Sequence, residues 1–155
     1  DIQNKIQIYH QCRKDDVDSI KAEYDGCSAK TTVSHFFENM AELYAQTSLI
    51  ISRAGASSIA EITAAKLPSI VIPLPTAADN HQATNALPIK EKTGGYVIEQ
   101  QAFNSNDLKN LLEQLISNES ALKDMSNNTS TLSIIDASKR FANAIENKIL
   151  KRGVN

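Results

Sequence analysis

The chain has 155 residues, a formal net charge of −2 at pH 7 and two cysteines. This length suits one domain with its own core and is short for two. The small net charge, with lysines and acidic residues interspersed, gives no electrostatic support for a nucleic-acid partner. No apolar run is long enough to span a bilayer, no signal peptide opens the chain, and the cysteines have no CxxC spacing. We therefore expect a cytoplasmic protein with reduced thiols.

Apolar runs typical of strands alternate with helical patterns up to Gln101. Strands are predicted near residues 5–9, 30–34, 48–52, 69–73 and 95–99. The intervening helices are predicted near residues 15–24, 38–46, 57–66 and 81–92. Such alternation indicates βαβ units and a parallel sheet flanked by helices.

After Gln101 the pattern becomes helical, with amphipathic helices predicted near residues 104–116, 119–127 and 134–150. Each of these helices carries one apolar stripe, as packing elements do. We therefore predict an α/β, Rossmann-like fold. Residues 1–155 are predicted to form a single domain with a helical tail at about 104–150.

The stretch from Leu49 to Glu61 carries the strongest indication of a ligand site. A short apolar strand enters the small-residue turn Ala54-Gly55-Ala56, and Ser57 and Ser58 then open a helical pattern. The N–H groups at a helix start lack helical partners, so an anion such as a diphosphate can bind them. Glu61 lies one turn on, where a carboxylate can accept hydrogen bonds from ribose hydroxyls. The alternative is a capping box, in which Ser58 and Glu61 satisfy helix N–H groups and bind no ligand.

A second polar loop follows the next buried strand. Residues 69–73 form that strand, and the loop after it contains Asp79, Asn80, His81 and Gln82. In parallel α/β sheets, ligands bind beyond the carboxyl ends of the strands, where both loops fall. The alternative for Asp79 or Asn80 is N-capping of the following helix. The two loops together indicate a nucleotide-directed site.

The three histidines, His10, His35 and His81, fall at or just beyond predicted strand ends. Three imidazoles at one edge suggest a zinc site as one hypothesis. However, no pair has metal-ligand spacing, and only Cys12 is available to complete such a site. We favour hydrogen bonding within a cleft and expect no metal.

Four sequence blocks occur in an order and spacing that resembles the MurG family of bacterial glycosyltransferases. They are IYHQC at 8–12, VSHFFENMAELYAQTSLIISR at 33–53, RAGASSIAEITAAKLPSIVIP with ADNHQATNA at 53–86, and GGYVIEQ at 94–100. Members of this family transfer N-acetylglucosamine from its uridine diphosphate donor to lipid I, with inversion, and so form lipid II for peptidoglycan. The resemblance implies the C-terminal, nucleotide-sugar-binding half of a GT-B enzyme.

The resemblance also implies roles for residues of the first three strand ends. It places the uracil against the backbone of Phe37, with Met40 starting the next helix, and it places Arg53 near the cleft. It assigns the diphosphate to the turn and helix start formed by Gly55, Ala56, Ser57 and Ser58, and the ribose to Glu61. The ordinary alternatives are core packing for Phe37 and Met40 and a surface ion pair for Arg53.

For the sugar, the resemblance implies hydroxyl contacts from His81 and Gln82, with Asp79 and Asn85 nearby. His10 matches a family histidine at the end of the preceding strand, and Cys12 stands near a position where the family often has a small hydroxyl residue. Both are expected near the diphosphate or the sugar. No divalent metal and no other cofactor is expected, because the resemblance implies that helix N-termini neutralise the diphosphate.

The chain opens at Asp1 without methionine and enters a strand almost at once, which predicts a fragment. The family's domain starts one βα unit earlier, with a glycine-rich loop, and the candidate catalytic base lies in a separate acceptor-binding domain. We therefore assign no catalytic residue here. Since the first strand of a doubly wound sheet is central, its absence predicts two sheet halves.

The partners implied are UDP-N-acetylglucosamine and, through the other domain, lipid I and the inner face of the plasma membrane. Two alternatives stay open. One is another GT-B enzyme, either a different glycosyltransferase or a UDP-N-acetylglucosamine 2-epimerase. The other is a non-enzymatic α/β interaction domain, in which the serines only cap a helix and the polar loop is only solvated.

Overall fold

A computed structural model describes residues 3–76 and 80–132. Within these ranges, strands and helices alternate as the sequence predicts. The elements are β1 (Gln7–Gln11), α1 (Val17–Glu23), β2 (Lys30–Ser34), α2 (Met40–Ala45), β3 (Ile50–Ser52), α3 (Ala56–Ala64), β4 (Ser69–Val71), α4 (His81–Glu91), β5 (Gly95–Val97), α5 (Ser105–Ile116) and α6 (Glu119–Ser130). The helix predicted near 134–150 lies outside the described residues.

The strands form two parallel sheets, one of order β1-β2 and one of order β3-β4-β5. In the larger sheet, Ile51 is paired with Ile70, and Ile70 with Tyr96. Parallel sheets flanked by helices confirm the predicted Rossmann-like α/β class. The division into two sheets also agrees with the expectation of two sheet halves.

The fold divides into two compact units. Among the described residues, unit 1 comprises residues 3–47 and 105–119, and unit 2 comprises residues 48–76, 80–104 and 120–132. The prediction of a single domain over the chain stays a prediction. Among the described residues, no helix combines the length and apolar character needed to cross a membrane.

The core of unit 2 is centred on β4, whose three residues are all buried. A strand covered on both faces carries an unbroken apolar run rather than an alternating pattern. The fully buried side chains around it include Ile62 of α3, Ile70 and Val71 of β4, and Ile89 of α4. Each such side chain contributes about 1.5–3 kcal/mol when it is removed from water. This packing fixes α3 and α4 against the sheet.

In unit 1, β1 lies two residues later than predicted. The chain first forms a 3-10 turn over Gln3–Lys5, in which Ile6 N donates to Gln3 O. The strand then alternates exposed and half-buried residues, with Ile8 and His10 on the more buried face. His10 therefore lies inside the strand, and not beyond its end.

Helices α3 and α4 both end in a left-handed residue. Lys66 has φ 56° and Thr93 has φ 52°. After α3, Leu67 N donates to Ile62 O and Lys66 N donates to Thr63 O, which is the Schellman pattern. Gly94 and Thr93 repeat this pattern at the end of α4. Neither left-handed position is occupied by glycine, although glycine adopts this conformation without steric cost.

Candidate functional site

The start of α3 presents backbone N–H groups that have no partner within the helix. Gly55 is the N-cap residue, with φ −62° and ψ 147°, and the helix begins at Ala56. The first helical hydrogen bond runs from Ile59 N to Gly55 O at 2.9 Å. The N–H groups of Ala56, Ser57 and Ser58 precede this bond and therefore have no partner within the helix. They lie at the positive end of the helix dipole, where an anion is stabilised.

The capping-box alternative is wrong for this helix. A capping box needs Ser58 at the N-cap and Glu61 three residues later. Instead, Gly55 is the N-cap and Ser58 is the third helical residue, so Ser58 does not occupy the position that a capping box requires. Ser57 and Glu61 are exposed and Ser58 is half-buried, so these side chains share an accessible helix face.

Two side chains of α4 bind the loops that follow β3 and β4. Asn85 Nδ2 donates to Ala54 O at 3.0 Å, immediately before the N-cap of α3. Gln82 Oε1 accepts from Leu74 N at 2.9 Å. The amide group of Gln82 keeps its Nε2 donors for another partner. Asn85, expected near the sugar, therefore holds the turn before α3 through its own amide.

The N-terminus of α4 differs in part from the expectation. Asn80 occupies the N-cap position, but in the left-handed conformation, with φ 54°, and without a side-chain capping hydrogen bond. His81 is the first helical residue and is exposed. Asp79 lies outside the described residues. The interpretation of Asn80 as a side-chain cap is therefore wrong, although its position is that of a cap.

Arg53 directly follows β3 and contacts the chain beyond the other two strands of its sheet. Its Nη1 donates to Gln100 Oε1 at 2.7 Å and to Ile72 O at 3.3 Å. Ile72 follows β4, and Gln100 opens a short 3-10 turn after β5. We call this end of the sheet the carboxyl edge. Within residues 3–76 and 80–132, no carboxylate pairs with Arg53, so the ion-pair alternative gains no support.

Gln100 was not among the site residues predicted from the sequence. Its contact with Arg53 joins residues 47 positions apart in two separate sequence blocks, so neither block reveals the contact by itself. The available signal was positional, because Gln100 closely follows a strand whose carboxyl end lies beside that of β4. Polar residues after neighbouring parallel strands meet at one edge of a sheet.

In unit 1, the side chain of His10 is used internally. Its Nδ1 lies 3.1 Å from Tyr24 Oη at the end of α1, and the two rings meet edge to face. Burial raises the pKa of Tyr24, and the nearby Cys27 adds to this effect. Cys12 continues the β1–β2 ladder through its N–H, which donates to Ser34 O at 3.1 Å, and its thiol is free.

The loop after β2 contains two aromatic residues in different environments. Phe37 is half-buried and packs edge to face on Tyr9, with ring centroids 6.0 Å apart. Phe36 is 60% exposed, and its N–H and carbonyl both bond to the hydroxyl of Ser34. Met40 is the first residue of α2 and is half-buried. The Phe37 ring therefore serves packing, while the exposed Phe36 ring, which the sequence reasoning did not select, belongs to the same loop.

The zinc hypothesis receives no support from side-chain geometry. Across residues 3–76 and 80–132, histidine, cysteine and acidic side chains nowhere gather in a group of three or more able to hold a metal ion. His10 instead contacts Tyr24, as a core histidine does.

Residues 1–147 match the family model of the glycosyltransferase family 28 C-terminal domain. The chain belongs to this family. This membership and the relatives described next confirm the resemblance inferred from the four sequence blocks.

Curated relatives are named as UDP-N-acetylglucosamine–N-acetylmuramyl-(pentapeptide) pyrophosphoryl-undecaprenol N-acetylglucosamine transferases. That of Granulibacter bethesdensis is 32% identical over 148 residues, which cover 96% of this chain and 38% of the relative. That of the Wolbachia of Brugia malayi is 36% identical over 149 residues, which cover 96% of this chain and 43% of the relative. That of Rickettsia felis is 42% identical over 124 residues, which cover 80% of this chain and 34% of the relative.

The crystal structure of Acinetobacter baumannii MurG is similar to this chain with a TM-score of 0.85 and 28% sequence identity. The match covers 92% of this chain and 41% of that one. The chain therefore spans less than half the length of these relatives. Its fold is that of a glycosyltransferase domain.

Proposed function

We propose that this chain is the donor-binding part of an inverting N-acetylglucosaminyltransferase that converts lipid I to lipid II in peptidoglycan synthesis. The observation that carries the proposal is the start of α3. Three backbone N–H groups lie there ahead of the first helical hydrogen bond, and Glu61 lies one turn further on. This arrangement suits a nucleoside diphosphate, because one end of α3 offers donors for phosphate and an acceptor for hydroxyls.

In the proposed reaction, the C4 hydroxyl oxygen of the muramoyl unit attacks the anomeric carbon of N-acetylglucosamine. The bond from that carbon to the diphosphate oxygen breaks, and the diphosphate leaves with the electron pair. The N–H groups of Ala56, Ser57 and Ser58 stabilise the growing charge with little reorganisation, because the helix already holds them in place. A general base must take the proton of the acceptor hydroxyl. No residue of this chain is assigned to that role.

The other parts of the sugar donor are assigned by chemistry and family membership. Glu61 accepts from the ribose hydroxyls, and Gln82 Nε2 and His81 bind hydroxyls of the sugar. The uracil binds the backbone of Phe37 near Met40.

Binding of the sugar donor is proposed to require no divalent metal and no other cofactor. Lipid I and the inner face of the plasma membrane are the proposed partners of the full-length enzyme, which we place in the cytoplasm at the membrane surface. Titration of UDP-N-acetylglucosamine with and without a chelator tests the metal assignment. An affinity that falls with chelator and returns with Mg²⁺ would contradict it.

Calorimetry on the intact protein tests the main proposal. UDP-N-acetylglucosamine is expected to bind saturably, and Glu61→Ala is expected to weaken binding by about tenfold or more, because hydrogen bonds to charged groups contribute about 1.5–3 kcal/mol. Glu91→Ala is the matched control, since Glu91 is an exposed glutamate at the far end of α4. The loss caused by Glu61→Ala should shrink when the ribose lacks its 2′-hydroxyl.

Two results would contradict the proposal. One is a folded protein that binds neither UDP nor UDP-N-acetylglucosamine. The other is a Glu61→Ala variant that binds as tightly as the Glu91→Ala control. Sugar transfer to lipid I separates this function from that of another GT-B enzyme, when the rate with UDP-N-acetylglucosamine is compared with the rate with the galactosamine epimer of the donor.

A further inference from the structure

Arg53 is held at the carboxyl edge by oxygen atoms that carry no formal charge. Its Nη1 donates to the side-chain amide oxygen of Gln100 and to the backbone oxygen of Ile72. In the described part of the chain, no acidic side chain forms an ion pair with it. The guanidinium is therefore oriented by the protein, and among the described residues no carboxylate neutralises its positive charge.

The hydrogen bonds that hold Arg53 use one of its three nitrogen atoms. A guanidinium has five N–H donors in a fixed plane, and the bonds through Nη1 leave the donors on Nε and Nη2. Such a plane matches two oxygen atoms of a phosphate or carboxylate at once. The geometry is that of an arginine prepared for an anionic ligand.

The position of Arg53 in the chain places its backbone close to the start of α3. Arg53 stands two residues before Gly55, the N-cap. Their Cα atoms are therefore at most about 7.6 Å apart, because consecutive Cα atoms are separated by 3.80 Å. The guanidinium, bound to Ile72 O and Gln100 Oε1, and the N–H groups at the start of α3 thus lie at the same end of the sheet.

We propose that Gln100 is a positioning residue for Arg53, holding its guanidinium so that the free donors face the diphosphate of the nucleotide sugar. The inference rests on the proposed function and adds a residue to it. A neutral acceptor suits this task better than a carboxylate does. Glutamine restricts the long arginine side chain before the ligand arrives and leaves its charge for the phosphate, whereas glutamate would neutralise that charge.

The test is a double-mutant cycle on the intact protein, with calorimetric titration of UDP and of uridine as probes. The variants are Arg53→Ala, Gln100→Leu, the double variant and Gln100→Glu. Gln101→Leu is the matched control, because Gln101 is an exposed glutamine in the same 3-10 turn. Thermal unfolding of each variant checks that the fold is retained.

We expect Gln100→Leu to weaken UDP binding about 3- to 10-fold, as the loss of one oriented charged contact does, while uridine binding stays unchanged. Gln100→Glu should also weaken UDP binding, because its carboxylate competes with the phosphates for Arg53. Gln101→Leu should bind both probes as the wild type does. In the Arg53→Ala background, Gln100→Leu should cause no further loss.

The inference is overturned if Gln100→Leu binds UDP like the wild type. It is also overturned if this variant loses affinity for UDP and uridine by the same factor, which is the result expected of a purely structural residue. Both results leave the proposed function standing, since the wild-type protein still binds UDP. A folded wild-type protein that binds neither probe overturns the proposed function and this inference with it.

Discussion

Asn85 of α4 donates from Nδ2 to the carbonyl oxygen of Ala54, 31 positions earlier, at 3.0 Å. Ala54 is fully buried, and the next residue, Gly55, is the N-cap of α3. The side chain of one helix thus fixes the turn that opens the neighbouring helix. The three free N–H groups of α3 depend on that turn for their direction.

Replacing Asn85 by alanine should therefore affect both stability and ligand binding. We expect a loss of about 1 kcal/mol in the free energy of unfolding, because one part-buried hydrogen bond is removed. UDP affinity should fall several-fold with it. Asn85→Asp should lower both stability and UDP affinity further, because it places a second acceptor beside the carbonyl of Ala54. Urea unfolding and calorimetry measure the two effects, and Asn110→Ala on an exposed face of α5 is the control. Unchanged stability in Asn85→Ala would show that the bond contributes nothing.

The hydroxyl of Ser69 is a second position with a measurable consequence. Ser69 is fully buried at the start of β4, and its Oγ has no hydrogen-bond partner among the described residues. An unpaired buried hydroxyl costs about 1–3 kcal/mol of desolvation. Ser69→Ala should therefore raise the free energy of unfolding or leave it unchanged. A clear loss of stability in urea unfolding would reveal a hidden partner for this oxygen.

Gly95 should tolerate no side chain. A Cβ atom there would overlap the carbonyl oxygen of Ser69 and lie 2.8 Å from Cγ2 of Ile89. Gly95→Ala is expected to lower the free energy of unfolding by about 1–3 kcal/mol, since a packed core resists added volume. Adding Ser69→Ala should not restore stability, because the backbone oxygen remains. Rescue by that second substitution would show that the Ser69 hydroxyl, and not the carbonyl, sets the limit.

Lys66 offers a stabilising substitution. Its left-handed conformation, with φ 56°, costs a residue with a Cβ atom about 1–2 kcal/mol. Lys66→Gly should remove this cost and raise the melting temperature. The gain is reduced in part because glycine gives the unfolded chain more conformational entropy. Thr93→Gly should gain less, because Thr93 Oγ1 also accepts a hydrogen bond from Asn128 Nδ2 at 2.9 Å. Equal gains would mean that this bond has no net effect.

The raised pKa of Tyr24 predicts that the folded protein loses stability in strong alkali. Its pKa in the folded protein is raised above 10.0 by burial and by Cys27. The unfolded chain therefore releases this proton first as the pH increases. The contribution to stability is complete below pH 10 and is lost between the unfolded and the folded pKa. Tyr24→Phe should unfold in urea with a weaker pH dependence above pH 10 than the wild type, and an identical dependence would remove Tyr24 as the cause.

Much of the fold could be predicted from the sequence, because alternating apolar runs and helical patterns report which segments are buried. The order of elements and the bounds of the strand at 30–34 follow from that pattern, and the strand predicted at 69–73 starts at the observed residue and ends two residues earlier. The bounds of β1 could not be predicted in this way. Ile6 and Ile8 mark an apolar run, but they do not show that the residues before them form a 3-10 turn.

The candidate site was predicted in part. The turn and helix start at Gly55 carry a local signature, since small residues are needed where the backbone turns into a helix. The capping box looked equally plausible because the two interpretations differ by only three residues in where α3 begins. The bonds from Asn85 to Ala54 and from Arg53 to Gln100 join distant parts of the chain, so no local pattern could reveal them.

The left-handed helix ends of unit 2 precede β4 and β5, whereas the proposed ligand groups follow the strands. Substitutions that stabilise the fold at the helix ends and substitutions that alter nucleotide recognition therefore lie at opposite ends of one sheet. Substitutions at well-separated sites combine almost additively in free energy. Lys66→Gly is thus suited to act as a general second-site suppressor. It should compensate for destabilising changes such as Asn85→Ala while leaving their effect on nucleotide recognition open to measurement.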